Sequence, residues 1–300
     1  MRHPILTLAL VVVLGGGLGL WITRPQQVSA AALEGLAGDA DRGEAVFHAA
    51  GCASCHMAPG ASGADQIVLA GGQGFPSEFG TFIAPNISPD PEHGIGGWSL
   101  QDFASAMTRG SSPEGAHYYP AFPYASYAKA ELQDVADLHA FWATLPPSAE
   151  PSRPHEVGFP FNIRASLGGW KLLFLNTDWV VEGDLSPEAT RGRYLVEALG
   201  HCGECHTPRG ALGNMDRSRW LAGVPGSDGG PDGRGGVPNI TPGGLDWSEG
   251  EIVEYLTSGF TPDYDSAGGH MALVVSNLAR LPESERAAIA SYLKTVPAVE

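Results

Sequence analysis

Cysteine is scarce in this chain of 300 residues, and its few copies are not scattered. The sequence has 4 cysteines, which all fall in two copies of one pentapeptide, Cys-Ala-Ser-Cys-His at 52–56 and Cys-Gly-Glu-Cys-His at 202–206. A zinc site normally needs its four ligands in one cluster. A disulfide or a thioredoxin-like redox pair gives no reason for a histidine to follow both cysteine pairs. The pattern disfavours all three of these interpretations.

Basic residues are also few. Lys and Arg number 17 against 33 Asp and Glu, which gives a formal net charge of -16. An acidic chain of this kind is not expected to bind nucleic acid, and its overall charge argues against a polybasic lipid-binding patch. The glycine-rich run at 223–236 has neither a preceding strand nor a Gly-Lys-Ser/Thr sequence. A phosphate-binding loop is therefore disfavoured, and no dinucleotide fingerprint is present.

The two pentapeptides instead match the sequence that attaches haem c. In Cys-x-x-Cys-His the two thiols form thioether links to the vinyl groups of one haem, and the histidine supplies an axial iron ligand. We therefore predict two covalently bound haem c groups. The predicted attachment residues are Cys52, Cys55, Cys202 and Cys205, and the predicted iron ligands are His56 and His206.

The N-terminal segment is hydrophobic. Residues 5–22 are apolar or glycine except for Thr7, and a small-residue sequence resembling a cleavage site follows at 28–30. A stretch of this length is typical of a signal peptide or of a single membrane-spanning anchor. We interpret residues 1–30 as one of these two. Both export the rest of the chain, so we expect it on the periplasmic side of the bacterial inner membrane, anchored there by residues 5–22.

The exported part contains an internal repeat. Ala-Pro-Asn-Ile-Ser-Pro at 84–89 matches Val-Pro-Asn-Ile-Thr-Pro at 237–242, and Trp98 matches Trp247. Each tryptophan precedes a helical stretch that ends at a glycine, Gly110 or Gly259, as glycine favours the left-handed position after a helix. The pattern predicts an all-α fold of two tandem class I cytochrome c domains. They would carry covalently bound haems and long loops, after an N-terminal hydrophobic helix.

The predicted boundaries follow from this repeat. We place domain 1 at 36–147 and domain 2 at 187–300, with final amphipathic helices at 129–145 and 283–296. Residues 148–186 are interpreted as a linker with a short inter-domain helix at 167–175. In a class I fold the first and last helices cross, and the haem lies in the pocket beneath them.

The second axial ligand of haem 2 is predicted in the loop after Gly259. Met271 follows a Gly-Gly-His sequence there, and methionine sulfur is the usual partner of histidine in cytochromes c, where it raises the reduction potential. Met271 is therefore the predicted ligand. His270 is the alternative.

Domain 1 differs at the equivalent position. Met271 lies 24 residues after Trp247, and the residue 24 positions after Trp98 is Phe122, which cannot bind iron. Three possibilities follow for haem 1: His117 is the sixth ligand, Met107 is, or the iron is five-coordinate. Ligation by His117 would give haem 1 a lower potential than haem 2, so that electrons run from domain 1 to domain 2.

A backbone carbonyl is expected to orient each haem histidine. Pro59 and Pro208 follow the two histidines closely, and either proline could position such a carbonyl to accept the imidazole N–H. A plain turn is the alternative interpretation of both prolines.

Seven motifs resemble those of the cytochrome c subunits of membrane-bound alcohol and gluconate dehydrogenases. The resemblance covers residues 40 to 298. The motifs lie at 79–81 (Phe-Gly-Thr), 85–90 (Pro-Asn-Ile-Ser-Pro-Asp), 94–99 (Gly-Ile-Gly-Gly-Trp-Ser), 119–124 (Tyr-Pro-Ala-Phe-Pro-Tyr), 191–196 (Arg-Gly-Arg-Tyr-Leu-Val), 201–209 (His-Cys-Gly-Glu-Cys-His-Thr-Pro-Arg) and 238–242 (Pro-Asn-Ile-Thr-Pro).

The resemblance implies a periplasmic electron conduit between a dehydrogenase and a quinone, cytochrome or terminal oxidase. Two departures from the family matter: its members usually carry three haems, and they have methionine where Phe122 stands. The leading hypothesis is electron transfer with no catalysis by this chain itself. The alternative is a dihaem enzyme of the peroxidase or thiosulfate-oxidising type that uses an atypically ligated haem 1.

Overall fold

The computed structural model of this protein describes residues 3–224 and 236–300. Most of the glycine-rich run that was judged unlike a phosphate-binding loop lies outside these residues. The described chain is mainly helical. Its α-helices are α1 (His3–Ile22), α2 (Ala30–Leu33), α3 (Ala40–Ala49), α4 (Cys52–His56), α5 (Leu100–Arg109), α6 (Tyr124–Tyr127), α7 (Leu132–Trp142), α8 (Ser166–Phe174), α9 (Pro187–Tyr194), α10 (Gly203–His206), α11 (Glu249–Ser258), α12 (Gly269–Leu278) and α13 (Glu283–Thr295).

The first helix, α1, lies where the sequence predicted a hydrophobic helix. Its apolar side chains, among them Leu18, Leu20 and Trp21, are exposed. Within the described part of the chain, no helix combines the length and the apolar character needed to cross a membrane. The structure therefore does not support a membrane-spanning helix at residues 5–22.

Each half is built on a close crossing of its first and last helices. α3 packs against α7, and α9 packs against α13. Glycine makes both crossings possible: a Cβ atom at Gly43 would lie 2.0 Å from the Asp137 carbonyl oxygen, and one at Gly192 would lie 1.8 Å from that of Ala288. Since such separations are far below van der Waals contact, a larger residue at either glycine would force the helices apart.

The helices between these crossings also repeat. α5 and α11 both begin with a capping box, in which Ser99 or Ser248 accepts a hydrogen bond from the third backbone N–H of its helix. Both end at a glycine in the left-handed conformation, Gly110 with φ 59° and Gly259 with φ 80°. These glycines are the helix ends predicted from the sequence. The equivalence sets a constant spacing of 149 residues between the two halves in this region.

The prediction of an all-α fold was wrong in one respect. Three short antiparallel strands, β1 (Gly74–Ser77), β2 (Gly80–Ile83) and β3 (Glu156–Val157), form a sheet in the order β1-β2-β3. The third strand belongs to the segment interpreted as a linker, which is therefore held against domain 1 by backbone pairing. Alternating patterns did not reveal strands of only two to four residues.

The two halves share one hydrophobic core. Buried residues of domain 1 such as Phe47 and Leu138 belong to the same packed cluster as Val196 and Tyr292 of domain 2. α8 contacts both halves. The indole N–H of Trp170 donates to the Leu212 carbonyl, and the Lys171 ammonium donates to carbonyls at the end of α5. The segment between the halves thus contacts both.

Candidate functional site

Both cysteine pentapeptides form a single helical turn that follows a sharp bend of the chain. In domain 1 the bend is Gly51, with φ 60°, between α3 and α4. In domain 2 His201 takes the same place with φ 41°, a conformation that non-glycine residues seldom adopt. The turn brings the two thiols of each pair to one side and places the histidine directly beyond them.

The four thiols are unpaired and are not held as a metal cluster. Cys205 is exposed and the other three cysteines are partly exposed. Burial and a neighbouring thiol raise the pKa of Cys52 and Cys202 to about 12 and that of Cys55 to about 11, so these thiols are protonated at neutral pH. Among the described residues, no group of three or more His, Cys, Asp or Glu side chains is arranged to hold a metal ion.

The imidazole rings of His56 and His206 are held in the same way in both halves. Nδ1 of His56 donates to the Pro85 carbonyl at 3.0 Å, and Nδ1 of His206 donates to the Pro238 carbonyl at 2.9 Å. A carbonyl oxygen can only accept, so the proton sits on Nδ1 and the lone pair on Nε2. Burial lowers the pKa of both rings, which keeps them neutral. Nε2 has no hydrogen-bond partner in the described chain and suits an iron ligand.

One of the two interpretations of Pro59 and Pro208, that they position this carbonyl, is not seen, because the accepting carbonyls belong to Pro85 and Pro238. The accepting prolines lie about thirty residues further along the chain, in the repeated Pro-Asn-Ile-Ser/Thr-Pro motif. The repetition of this motif was visible in the sequence. Its contact with the haem histidine was not predicted, because the two residues are far apart along the chain.

Equivalent asparagine contacts in the two halves fix each proline carbonyl. The side-chain amide of Asn86 donates to the Ser148 carbonyl at 2.8 Å, and that of Asn239 donates to the Val299 carbonyl at 2.7 Å. Both Asn Oδ1 atoms accept a backbone N–H two residues on. Each asparagine therefore ties the motif to the end of its own domain, so that the adjacent carbonyl cannot drift from the imidazole.

Glycines bring the loop after each pentapeptide close to the same motif. Gly71 and Gly223 donate their N–H to the carbonyls of His56 and His206, both at 2.7 Å. Their φ angles are 72° and 74°, and a Cβ atom at either would lie within 2.6 Å of motif backbone. Only glycine fits these two positions without moving the backbone that orients the imidazole.

Met271 lies in the first turn of α12, half-buried against the hydrophobic core. Its neighbour His270 is exposed, and its ring packs 5.9 Å from that of Phe75 in β1 of the other half. The structure thus places His270 against domain 1 and leaves Met271 as the donor on the core side. The choice between Met271 and His270 as iron ligand stays a prediction.

The β-bridges of the two loops have the spacing that pairs Phe122 with Met271 in the sequence. An isolated β-bridge joins Ser111 to His117 in domain 1, and an equivalent bridge joins Phe260 to Ser266 in domain 2. Both pairs have the spacing of 149 residues that relates Gly110 to Gly259, and the same spacing relates Phe122 to Met271. The local structure differs, because Met271 lies in α12 whereas Phe122 lies in a bend before α6.

The geometry does not favour His117 as an iron ligand. Its Nε2 donates to the Thr23 carbonyl at 2.9 Å, and its own carbonyl accepts from the Arg164 guanidinium at 2.7 Å. Through the bridges described above it is equivalent to Ser266, five positions before the methionine position. The side chain faces the end of α1 and α8, because the N-terminal segment supplies its partner. Met107, the other candidate, is buried in α5 within the core.

The two attachment turns meet at the boundary between the halves. Nε2 of His201 lies 3.3 Å from the Ala50 carbonyl, and Ser126 donates to a carboxylate oxygen of Glu204 at 3.1 Å. After burial, the nearby Cys205 thiol is the second cause of the raised pKa of Cys55. The thiols of the two halves are thus close enough to interact.

Comparison with known proteins agrees with this geometry. A model of the cytochrome c family matches residues 40–146. A protein of Cereibacter sphaeroides named as a dihaem cytochrome c-type protein is 60% identical over 300 residues, which are 100% of both chains. This chain belongs to the cytochrome c family. Membership implies covalently bound haem c, and the paired thiols with a neutral, free imidazole nitrogen fit that group.

This cytochrome is also similar to subunits of larger assemblies. It is 38% identical over 264 residues to the fructose dehydrogenase cytochrome subunit of Gluconobacter japonicus, covering 86% of this chain and 52% of that subunit. It is 37% identical over 272 residues to the cytochrome c subunit of a quinone-linked alcohol dehydrogenase of Gluconobacter oxydans, covering 86% and 55%. The resemblance to dehydrogenase cytochrome subunits is confirmed, although the chain spans about half the length of these two relatives.

Proposed function

We propose that this cytochrome carries two haems c and passes single electrons from a dehydrogenase, through both haems, to a quinone, cytochrome or oxidase acceptor. The dehydrogenase partner is proposed because the relatives are named as cytochrome subunits of such enzymes. Each haem, when bound, supplies an iron that changes by one electron. The chain attaches it, orients its histidine and sets its surroundings.

One observation carries the proposal: the two attachment turns adjoin each other. The His201 contact holds the turn at 202–206 against the end of α3, the Ser126 contact holds it against α6, and a single core spans the interface. Two redox groups fixed to these turns would stay close while the protein encounters its partners. A rigid pair suits transfer within the molecule better than two domains on a flexible tether.

We propose that Met271 completes the iron coordination of haem 2. The same loop of domain 1 offers Phe122 instead, and His117 is occupied by its bond to Thr23. The two haems therefore have unequal surroundings, as a directional conduit requires. Electron flow from domain 1 to domain 2 was expected from ligation of haem 1 by His117. Without that ligand, the expected direction has no support.

We further propose that the protein acts on the periplasmic side of the inner membrane. The support is the hydrophobic sequence at residues 5–22 and the normal attachment of haem c outside the cytoplasm. Fractionation of the native host tests the location: the proposal fails if the haem-loaded protein is recovered with the cytoplasm. The intact mass of the same sample shows whether residues 1–30 remain.

Electron transfer within the molecule is tested by one-electron pulse reduction of the oxidised protein. We expect the electron to pass between the two haems, seen as a change in their absorption spectra, at a rate independent of protein concentration. Cys205→Ser, which prevents normal attachment of haem 2, is the control and should show no such exchange. A rate proportional to protein concentration would mean that electrons pass only between molecules.

A second candidate function is a haem enzyme acting at haem 1. It is favoured by the Phe122 substitution together with the occupied His117, which leave the distal loop of domain 1 without a free histidine or methionine. Carbon monoxide added to the reduced protein separates the two functions. Inertness of both haems supports electron transfer alone, whereas rapid binding to one haem, abolished in Cys55→Ser, supports an accessible reactive iron.

A further inference from the structure

A cavity lies between the end of α1 and domain 1. It has a volume of about 270 Å³ and is open to solvent on one side. The chain emerging from α1 forms one wall with Leu20, Thr23 and Arg24, and the opposite wall contains His117 and Arg164. Nothing in the proposed electron transfer uses this cavity.

Two arginines without ion-pair partners line the cavity, and Lys171 of α8 lies near Arg164. Arg24, Arg164 and Lys171 form no salt bridge with any described carboxylate. Arg164 instead packs over the rings of Tyr118 and Tyr119, and Arg24 packs over Trp21. The net charge of -16 argued against a basic lipid patch, but that value is an average over the chain. Locally, positive charge is left uncompensated.

Lys171 and His117 show the effect of this local charge. Burial, and then the Arg164 guanidinium, lowers the pKa of Lys171 to about 8. Burial, and then the Lys171 ammonium, lowers the pKa of His117, so that the ring is neutral. An anion bound beside Arg164 would relieve this repulsion.

The buried His117 ring also lacks a partner on its second nitrogen. Because Nε2 donates to Thr23, Nδ1 carries a lone pair, and Nδ1 is buried without a hydrogen-bond partner among the described residues. An unsatisfied buried acceptor costs free energy. Because Nδ1 is buried, a ligand in the open cavity does not reach it, and the cavity holds a ligand through its arginines.

The surface next to the cavity is unusually apolar. Phe159, Leu172 and Leu173 are 80%, 68% and 70% exposed, and Phe161 and Ile163 in the same segment are also exposed. The exposed apolar side chains of α1 end at the cavity as well. Apolar side chains that border a cationic hollow are typical of a surface that meets lipid, with acyl chains against the former and headgroups against the latter.

We propose that this cavity binds the headgroup of an anionic phospholipid, with the phosphate between Arg24 and Arg164. The apolar residues at 159–173 would then lie at the lipid surface. The inference rests on the proposed location and on retention of residues 5–22 in the exported protein, and it is independent of electron transfer.

Native mass spectrometry of the full haem-loaded chain in nonionic detergent tests the proposal. The probes are phosphatidylglycerol and phosphatidylcholine in equal amounts. We expect phosphatidylglycerol to be retained in preference, and the preference to fall about fivefold for each arginine removed in Arg24→Gln and Arg164→Gln. Arg280→Gln, an exposed arginine on the other half, is the matched control and should leave the preference unchanged.

The outcomes distinguish a lipid headgroup from free phosphate, and failure of this proposal from failure of the proposed function. Equal retention of both lipids by the wild type, or a preference that survives both substitutions, would overturn the proposal. Displacement of the lipid by millimolar inorganic phosphate alone would assign the cavity to free phosphate instead. The same spectra report haem content and the presence of residues 5–22, so a failure of the proposed function is seen separately. An unchanged haem absorption spectrum shows that a variant is folded.

Discussion

At the scale of single residues, one substitution distinguishes the two halves. Phe122 and Met271 occupy equivalent places after equivalent bridges, and only the methionine has an atom that binds iron. The counting that aligned them needed only the sequence, since both lie a fixed distance after a tryptophan. The partner of His117 was not predictable in this way, because Thr23 lies 94 residues away and outside the repeat.

Met271→Ala should change haem 2 and leave its attachment intact. Loss of the thioether should remove the methionine-to-iron charge-transfer band and lower the potential of haem 2 on the order of 0.1 V, a fraction of the range of about 0.8 V that axial ligands set. A spectroelectrochemical titration measures both. Met107→Leu, a change of similar volume in the core of α5, is the control and should alter neither. An unchanged titration of Met271→Ala would show that another side chain binds that iron.

At the scale of elements, the helices were largely predictable and the irregular segments were not. The sequence placed a helix at 283–296, and the structure has one at Glu283–Thr295. The predicted helix at 129–145 is shorter, Leu132–Trp142, because the three residues at each end are not helical. Residues Leu195–Leu199 continue α9 as a π-helical turn, a local widening that periodicity does not reveal.

The close helix crossings give a prediction at the same scale. Gly192→Ala places a methyl group 1.8 Å from the Ala288 carbonyl oxygen, so it should lower the free energy of unfolding by about 1–3 kcal/mol. Gly250→Ala is the matched control: it lies in α11 with no atom within 4 Å of the added methyl, and it should stabilise by up to about 1 kcal/mol. Guanidinium unfolding of the oxidised protein measures both changes. Equal changes in the free energy of unfolding for the two substitutions would contradict the close packing of α9 against α13.

At the scale of the whole molecule, the interface between the halves should weaken in acid. His48 in α3 hydrogen-bonds to Asn277 in α12 at 3.2 Å and is 7% exposed. Burial lowers the pKa of His48, so below about pH 6.5 the unfolded chain binds a proton that the folded chain resists. The stabilisation is therefore complete above about pH 6.5. It is lost as the pH falls towards the lowered pKa of the folded state.

This loss can be measured as a slope. A single histidine contributes at most about 1.4 kcal/mol per pH unit to the unfolding free energy in that range. Unfolding curves between pH 7 and pH 5 should show a shallower dependence in His48→Gln than in the wild type. Identical slopes would mean that His48 does not carry a proton-linked part of the interface.

The tandem organisation was also readable from sequence, whereas the joining of the halves was not. Repeated motifs revealed two similar units, because each unit holds a histidine imidazole through the same kind of contact. The segment at 148–157 was interpreted as a linker from its prolines and polar residues. Its backbone pairs with β2, and its carbonyls receive the Asn86 amide. Such contacts depend on the folded position of distant residues, which composition does not report.

Both pentapeptides are expected to carry haem in one molecule. The intact mass of the native exported protein, with a pyridine haemochrome assay of the same sample, measures this. We expect the mass of the chain plus two haems, and plus one haem in Cys205→Ser or Cys55→Ser. A mass equal to that of the polypeptide alone, with no haemochrome absorption, would contradict it.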